Sequence, residues 1–315
     1  MGNGQWVVGS NLGNLSKQKT TVRYRDRQTG KIVLENVLAE GTLRWLYENW
    51  LGFQVFNYFL NNYLICWLYG KSQNSPFSRR KIADFVRQYQ IEPAESELPP
   101  ESYPSFNAFF SRRLKPNARP FVGDAEIFCA PGDGKVLVYP QGISQIPVKG
   151  SSFSVESLLN GAINPATYRG GAVLILRLAP YDYHRFHFGD RGRANSTKYI
   201  NGQYHSVNPI ALAKVPNVFS LNKRAVTEFE SQNFGRITYV EIGAITIGSI
   251  VQTYQPGVIA KGQEKGYFQY GGSTVVLLFE PGKISFDADL IRDSQQNLEV
   301  RVLAGARLGR KLKEN

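Results

Sequence analysis

The chain has 315 residues, of which 42% are hydrophobic and 20% are charged. These proportions are typical of a globular protein with a sizeable core, and they exclude a disordered chain, a disulfide-stapled miniprotein and a polytopic membrane protein. The 37 lysines and arginines outnumber the 25 aspartates and glutamates, which leaves a net charge of +12. That surplus predicts an anionic partner: nucleic acid, an acidic membrane surface or an anionic substrate.

The first 40 residues predict an extended segment. Residues 20–34 alternate in polarity and contain a turn signal at Thr29-Gly30. The opening 19 residues lack the apolar core of a secretory signal, and the two cysteines, Cys66 and Cys129, do not form a disulfide framework. We therefore expect a reducing compartment and a cytosol-facing location.

An aromatic, uncharged segment follows and resembles a membrane element. Residues 49–70 are 22 consecutive residues without a charge, and Trp45, Trp50 and Trp67 lie in or beside them. A bilayer span needs about 20 apolar residues. Polar side chains interrupt this run at helical spacing, however, which is typical of a helix lying in the membrane interface. A buried aromatic core helix remains equally compatible with the pattern, and a true span is the least favoured alternative.

The remaining elements change character after Pro120. A helical pattern covers residues 77–91, and an acidic, proline-rich loop is expected over residues 92–104. Short β-branched and aromatic runs punctuated by glycine and proline then predict a mainly β domain. The runs are residues 135–139, 172–178, 236–242, 244–251 and 273–279. The basic end, residues 301–313, predicts a solvated tail.

The expected fold class is therefore α+β, with a mainly β catalytic domain and an N-terminal helical region that associates with a membrane. The predicted division is an N-terminal extension (1–40), the helical membrane-associating region (41–120) and the β-rich domain (121–315).

Candidate catalytic residues concentrate in two short segments. His184 and His187 both lie within residues 181–187, and the third histidine is His205. The close pair indicates a metal site or a general acid/base pair. The alternative is that these are surface or core histidines that take no part in chemistry. Asp133 lies between two glycines and is a candidate carboxylate partner; its alternative role is an Asx turn that holds its own loop.

Other motifs are less specific. Four basic residues between positions 112 and 119 predict either a phosphate contact or a solvated face. They are Arg112, Arg113, Lys115 and Arg119. The sequence contains neither a P-loop nor a dinucleotide-binding fingerprint.

Seven ordered motifs carry a family resemblance. They are residues 109–120 (FFSRRLKPNARP), 130–134 (APGDG), 181–187 (YDYHRFH), 206–209 (SVNP), 242–250 (IGAITIGSI), 261–268 (KGQEKGYF) and 271–274 (GGST). In this order, over about residues 43–279, the chain resembles the phosphatidylserine decarboxylases. The order of the motifs removes nucleic acid from the candidate partners.

The resemblance implies a pyruvoyl enzyme that converts phosphatidylserine to phosphatidylethanolamine and carbon dioxide. It places self-cleavage between Gly272 and Ser273, which would give a β chain (1–272) and an α chain (273–315). Attack by Ser273 gives an ester, and β-elimination with loss of ammonia then leaves a covalent pyruvoyl group on residue 273. Its ketone would form a Schiff base with the serine amine of the lipid.

The resemblance also implies a role for each site residue. Ser273, His187 and Asp133 would form a Ser-His-Asp arrangement for cleavage, and His184 would be the acid that protonates the carbanion. No metal ion is implied. A metal hydrolase built on His184, His187 and Asp133 and a non-enzymatic membrane-binding module remain as alternatives.

The expected partners are phosphatidylserine in an anionic membrane surface and the cleaved α and β chains themselves; a homodimer is a further candidate. The expected location is peripheral, on a cytosol-facing membrane, which in a bacterium is the cell membrane.

Overall fold

A computed structural model describes residues 22–142, 144–244, 250–271 and 273–312. Residues 1–21 of the predicted extension, most of the run 244–251, and Gly272 at the expected cleavage site lie outside the described residues. Helices and strands are both present and sheet predominates, which agrees with the expected α+β class.

The strands are β1 (Arg23–Asp26), β2 (Ile32–Leu34), β3 (Ile127–Cys129), β4 (Gly134–Tyr139), β5 (Ile146–Val148), β6 (Ser151–Phe153), β7 (Val173–Leu178), β8 (Arg185–His187), β9 (Gly192–Ala194), β10 (Lys198–Ile200), β11 (Arg224–Ser231), β12 (Gly235–Ile242), β13 (Ile250–Gln252), β14 (Gly257–Ile259), β15 (Glu264–Phe268), β16 (Ser273–Phe279), β17 (Ile284–Phe286), β18 (Glu299–Val302) and β19 (Arg307–Lys311). The α-helices are α1 (Glu40–Glu48), α2 (Trp50–Val55), α3 (Tyr63–Gln73), α4 (Lys81–Tyr89), α5 (Phe106–Phe110), α6 (Val155–Leu159), α7 (Pro209–Leu212), α8 (Val218–Leu221) and α9 (Ala288–Gln295).

One large sheet organises the described residues. Its 11 strands run in the order β14-β9-β11-β12-β16-β7-β4-β18-β1-β2, with β10 beside β11. Three smaller sheets, β13-β15-β8, β17-β19-β3 and β5-β6, accompany it. β16 lies between β12 and β7 and is antiparallel to both. All seven of its residues are buried, because both faces of the sheet are covered at this strand. The predicted strand 273–279 is confirmed with the same bounds.

The two faces of the sheet bury different partners. Alternate residues of a strand point to opposite faces. On one face Leu277 belongs to a core cluster with Phe186 of β8. On the other face Val276 belongs to a cluster with Tyr47 and Phe56 of the N-terminal helical region. The N-terminal helices are thus packed directly on the sheet that carries β16.

The predicted turn at Thr29-Gly30 closes a hairpin. Gly30 has a φ of 70°, which glycine adopts readily, and the Thr29 N–H donates to Asp26 Oδ1 at 2.9 Å. β1 of this hairpin pairs in parallel with β18, so part of the predicted extension belongs to the large sheet. The domain boundaries themselves stay a prediction.

The aromatic segment (residues 49–70) and the residues just before it do not form the single helix that the sequence predicts. It is divided into α1, α2, a π-helical turn at Phe56–Leu60, and α3. Asn49 and Asn62 start α2 and α3, since their side chains accept from the backbone N–H groups of the first helical turns. Gly52 permits the close approach of α1, because a Cβ there would lie 2.0 Å from the Trp45 carbonyl oxygen. In the described part of the chain there is no helix that could cross a bilayer.

The expectation of a solvated C-terminal tail is wrong. Residues 301–311 contribute to β18 and β19, and two of their three arginines bind carboxylates from distant parts of the chain. Arg301 Nη1 lies 3.0 Å from Asp26 Oδ2, and Arg307 Nη2 lies 2.6 Å from Asp287 Oδ1. The basic composition of this segment reflects long-range ion pairs, which a local pattern does not reveal.

Candidate active site

Ser273 and His184 meet in the interior of the protein. Ser273 is the first residue of β16 and is opposite Leu178 of β7. Its Oγ lies 3.3 Å from Nδ1 of His184, and both residues are fully buried. The His184 ring stacks on Phe110 of α5 with 3.8 Å between ring centres. The structure therefore brings together two of the predicted site residues that are 89 positions apart.

The hydrogen bonds of His184 determine its tautomer. Nε2 lies 3.0 Å from the Ala179 carbonyl oxygen, which only accepts, so Nε2 carries the proton. Burial, helped by the positive charge of Arg112, lowers the pKa of His184 to about 3. The ring is neutral near pH 7, and the lone pair on Nδ1 faces the Ser273 hydroxyl. This geometry allows His184 to accept the hydroxyl proton.

A tight loop holds His184 in this position. The Ala179 carbonyl also accepts from the Asp182 N–H at 2.9 Å, and Asp182 Oδ2 accepts from the Ala179 N–H at 2.7 Å. Lys135 of β4 donates to both carboxylate oxygens of Asp182, at 3.1 and 2.8 Å. Because Lys135 and Asp182 are buried, this charge-assisted pair fixes the loop to the sheet.

His187 and Asp133 lie on neighbouring backbone segments, because the His187 N–H donates to the Pro131 carbonyl at 2.7 Å. Their side chains have other partners. His187 Nδ1 lies 3.1 Å from the Gly262 carbonyl oxygen, and Nε2 lies 3.3 Å from the Tyr183 hydroxyl. Burial lowers the pKa of His187 as well.

The Asp133 carboxylate accepts from Arg119 Nε and Nη2 and from the Ala304 N–H at 2.8 Å. It is hydrogen-bonded neither to His187 nor, as an Asx turn would require, to its own loop, within the part of the chain that the structure describes.

The remaining predicted residues are dispersed. His205 packs against Phe56 with ring centres 5.0 Å apart, and its Nε2 lies 2.7 Å from Gln203 Oε1. Of the basic cluster, Arg119 is bound to Glu95 and Asp133, whereas Arg112 is buried over the Phe109 ring. The other two, Arg113 and Lys115, are exposed. No group of three or more metal-ligating side chains is found among the described residues.

A cavity of about 370 Å³ lies at the start of β16. Gly271 and Ala179 line it on the side of Ser273, and leucines of the N-terminal helical region, including Leu43 and Leu60, line it on the other side. Sequence reasoning missed this cavity and the supporting residues Phe110, Lys135 and Asp182. Phe110 and Asp182 lie inside the motifs 109–120 and 181–187, so these motifs could have indicated them as site residues. No motif contains Lys135.

Comparison with known proteins identifies the family of the chain. A family model described as phosphatidylserine decarboxylase matches residues 106–310. A phosphatidylserine decarboxylase proenzyme of Chlamydia muridarum is 44% identical over 291 residues, which cover 91% of this chain and 97% of the relative. The chain belongs to the phosphatidylserine decarboxylase family.

Other members of the phosphatidylserine decarboxylase family match over a similar extent. The proenzyme of Chlamydia pneumoniae is 42% identical and covers 93% of this chain and 98% of the relative. That of Clostridium botulinum is 40% identical and covers 92% of this chain and 99% of the relative. The family resemblance read from the seven motifs is confirmed.

Proposed function

We propose that the chain is a self-processing phosphatidylserine decarboxylase that forms phosphatidylethanolamine and carbon dioxide at an anionic membrane surface. The observation that carries the proposal is the contact between the Ser273 hydroxyl and Nδ1 of a neutral, buried His184. It puts a nucleophile and a proton acceptor together at the position where the family is cleaved.

The processing step starts at Ser273. A base takes the hydroxyl proton, Oγ forms an ester with the carbonyl carbon of Gly272, and the bond from that carbon to the nitrogen of residue 273 breaks. Loss of the Cα proton expels the carboxylate of Gly272. Addition of one water then releases the nitrogen as ammonia. The products are the chains 1–272 and 273–315.

The residues present fit a pyruvoyl group at position 273. Ser273 supplies the carbon atoms, and pairing of β16 with β12 and β7 fixes its backbone. Gly271 has a φ of 133°, a conformation that a residue with a Cβ rarely adopts, so glycine is required two positions before Ser273. Such a group would supply a ketone for the amine of the substrate and an acceptor for the electrons released with carbon dioxide.

His184 is the residue placed to move a proton during turnover. Its Nδ1 points at residue 273, and Ala179 together with Phe110 fixes the ring. We assign to it the acceptance of a proton and its return to the substrate carbon at residue 273.

For the processing base we retain the family arrangement of Ser273, His187 and Asp133. The neighbouring backbones of His187 and Asp133 support it, although their side chains bind Tyr183, Gly262 and Arg119. His184 is the competing candidate for the base.

We assign the membrane-binding surface of the protein to the N-terminal helices. Trp50, Tyr58 and Phe59 are 76%, 76% and 60% exposed although they are large and aromatic. Exposed apolar patches of this kind mark interaction sites, and aromatic rings favour the lipid headgroup region. Lys71, Arg79 and Arg80 lie near the same helices and contribute attraction to anionic lipid. These exposed rings and cations support a peripheral position, and we propose, as expected from the sequence, that the membrane is cytosol-facing; the homodimer stays a prediction.

Mass spectrometry of the purified protein tests the proposal. We expect two fragments, residues 1–272 and 273–315, the second with a blocked N-terminus, and release of labelled carbon dioxide from vesicles of carboxyl-labelled phosphatidylserine. Ser273→Ala is expected to remain an intact chain without activity. Ser285→Ala, on the exposed side of β17, is the control and should be cleaved and active. An uncleaved but active Ser273→Ala protein would refute the assignment of the serine.

A further inference from the structure

The cavity beside Ser273 is apolar except at one charged end. Among the described residues that line it, those with a charge are Glu35 and Arg177. Their side chains are only 2% and 4% exposed. This charged pair lies at the end of an apolar cavity next to the reacting residue, and burying charges is costly unless they are paired.

Arg177 is held between two carboxylates. Its Nη1 donates to Glu35 Oε1 at 3.0 Å and its Nη2 to Glu35 Oε2 at 2.5 Å. Its Nε and Nη2 donate to Glu299 at 2.8 and 2.7 Å. A guanidinium has five N–H groups. These bonds use one on Nε, one on Nη1 and two on Nη2, so a second N–H on Nη1 is left for another acceptor.

Thr274 supplies a second polar group on the same face. It is the cross-strand partner of Arg177, and paired residues of an antiparallel sheet project to the same side. Its Oγ1 is buried and is hydrogen-bonded to none of the described residues. Buried hydroxyls normally have a partner. Arg177 at the cavity wall and Thr274 on the neighbouring strand therefore each have one donor to spare for an anionic oxygen.

Glu35 supplies the opposite charge. Although burial by itself would raise the pKa of Glu35, the guanidinium of Arg177 lowers it to about 2. The carboxylate is therefore ionised near neutral pH. Each of its oxygens accepts one hydrogen bond from Arg177 and has a lone pair left for a cation.

We propose that Glu35, Arg177 and Thr274 form the head-group subsite for the serine moiety of the substrate. Arg177 Nη1 and the Thr274 hydroxyl bind the serine carboxylate, and Glu35 binds the ammonium group. The leucine walls accommodate the glycerol end and the start of the acyl chains. This inference rests on the proposed function and adds the groups that recognise the substrate.

The subsite distinguishes substrate from product. Phosphatidylethanolamine keeps the ammonium group and lacks the carboxylate, so it retains the contact with Glu35 and loses those with Arg177 and Thr274. If Glu35, Arg177 and Glu299 only join the end of β2 to β7 and β18, they stabilise the fold and the protein has no preference between the two head groups.

Binding of soluble head groups tests the subsite. The processed protein is treated with borohydride, which reduces its ketone and prevents covalent capture, and calorimetry then measures binding of glycerophosphoserine and glycerophosphoethanolamine. We expect glycerophosphoserine to bind about tenfold more tightly, as hydrogen bonds to charged groups imply.

Two variants give different signatures. Thr274→Val removes a donor to the carboxylate. It is therefore expected to weaken the binding of glycerophosphoserine about threefold to tenfold and to leave the binding of glycerophosphoethanolamine unchanged. Glu35→Gln is expected to weaken the binding of both probes. Glu48→Gln in α1, whose carboxylate binds Arg44 instead, is the matched control and should change neither.

Equal affinity of the unmodified subsite for both probes, or an identical effect of Thr274→Val on both, would overturn the inference. If Glu35→Gln fails to fold, Thr274→Val decides alone, since it removes no described hydrogen bond. Failure of the proposed function is distinguishable, because the wild-type chain would then be neither cleaved nor active.

Discussion

Strand β16 and the aromatic segment 49–70 are both free of charge, yet they expose their side chains very differently. Every residue of Ser273–Phe279 is buried. In α2 and the following π turn, Trp50, Tyr58 and Phe59 are exposed while Phe56 is fully buried. Low charge therefore identifies a segment that avoids water, and the tertiary structure decides whether its partner is the protein core or, as we propose, a membrane.

The difference also separates two kinds of function. β16 positions one reactive residue with atomic precision because strands hold it on both sides. The helices present a broad exposed surface with the rings of Tyr47 and Phe56 turned inward, and they line the cavity beside Gly271. If catalysis depends on the strand region and membrane binding on the helices, variants of the two regions will affect these two functions separately.

The largest expected effect is at His184. His184→Asn is expected to lower decarboxylation by about 100-fold to 10,000-fold in the cleaved fraction, because it removes the proton carrier at residue 273. His187→Asn and Asp133→Asn are expected to slow self-cleavage while the fold is retained. Rates of fragment formation by mass spectrometry and of carbon dioxide release measure the two steps separately.

The opposite pattern would reassign the base. If His184→Asn stays uncleaved while His187→Asn and Asp133→Asn are cleaved at the wild-type rate, then His184 performs the processing step. His205→Asn is the matched control, since His205 packs against Phe56 outside the site.

Two neighbouring phenylalanines test the helical region. Phe56→Ala is expected to destabilise the protein by about 3–5 kcal/mol, because it leaves a cavity between the helices and the sheet. Phe59→Ala, at an exposed position, is expected to change stability by less than about 0.5 kcal/mol and to weaken binding to anionic vesicles. Denaturant unfolding and vesicle sedimentation measure both. Unchanged vesicle binding of a Trp50→Ala/Phe59→Ala protein would remove the helices from the proposed membrane surface.

The smallest expected effect is on the pH dependence of stability. Burial lowers the pKa of His184 to about 3 and of His205 to about 4, whereas an unfolded histidine titrates near its usual value. Between these values the unfolded state binds more protons, so stability is complete above about pH 6.5 and falls as the pH decreases. We expect the free energy of unfolding to decrease by about 1 kcal/mol per histidine between pH 6.5 and 5.5.

Single variants assign this loss to the two regions. His184→Asn should remove the share of His184 at the strand region and His205→Asn that of His205 at the helical region, as measured by urea unfolding at pH 5.5 and 7.5. The share of His187, whose pKa burial also lowers, remains in both variants. A wild-type stability that rises as the pH falls over this range would contradict the burial of both rings.

The sequence by itself determined the elements whose signals are local. The run 273–279, the turn at Thr29-Gly30 and the mainly β character after Pro120 all follow from residue periodicity and turn chemistry, which act over a few residues. The seven ordered motifs also determined the family and the position expected for cleavage.

Only the tertiary structure decided which polar groups meet. The motif 181–187 contains two histidines, and the Ala179 carbonyl with the Phe110 ring selects His184 to face Ser273. Arg301 and Arg307 near the C-terminal end bind Asp26 and Asp287 instead of forming a solvated tail. Asn49 and Asn62 divide an aromatic segment that periodicity alone joins. The physical reason is common to these cases: a charge, a ring or a donor is satisfied by partners that the fold brings from distant positions, and a local pattern does not contain them.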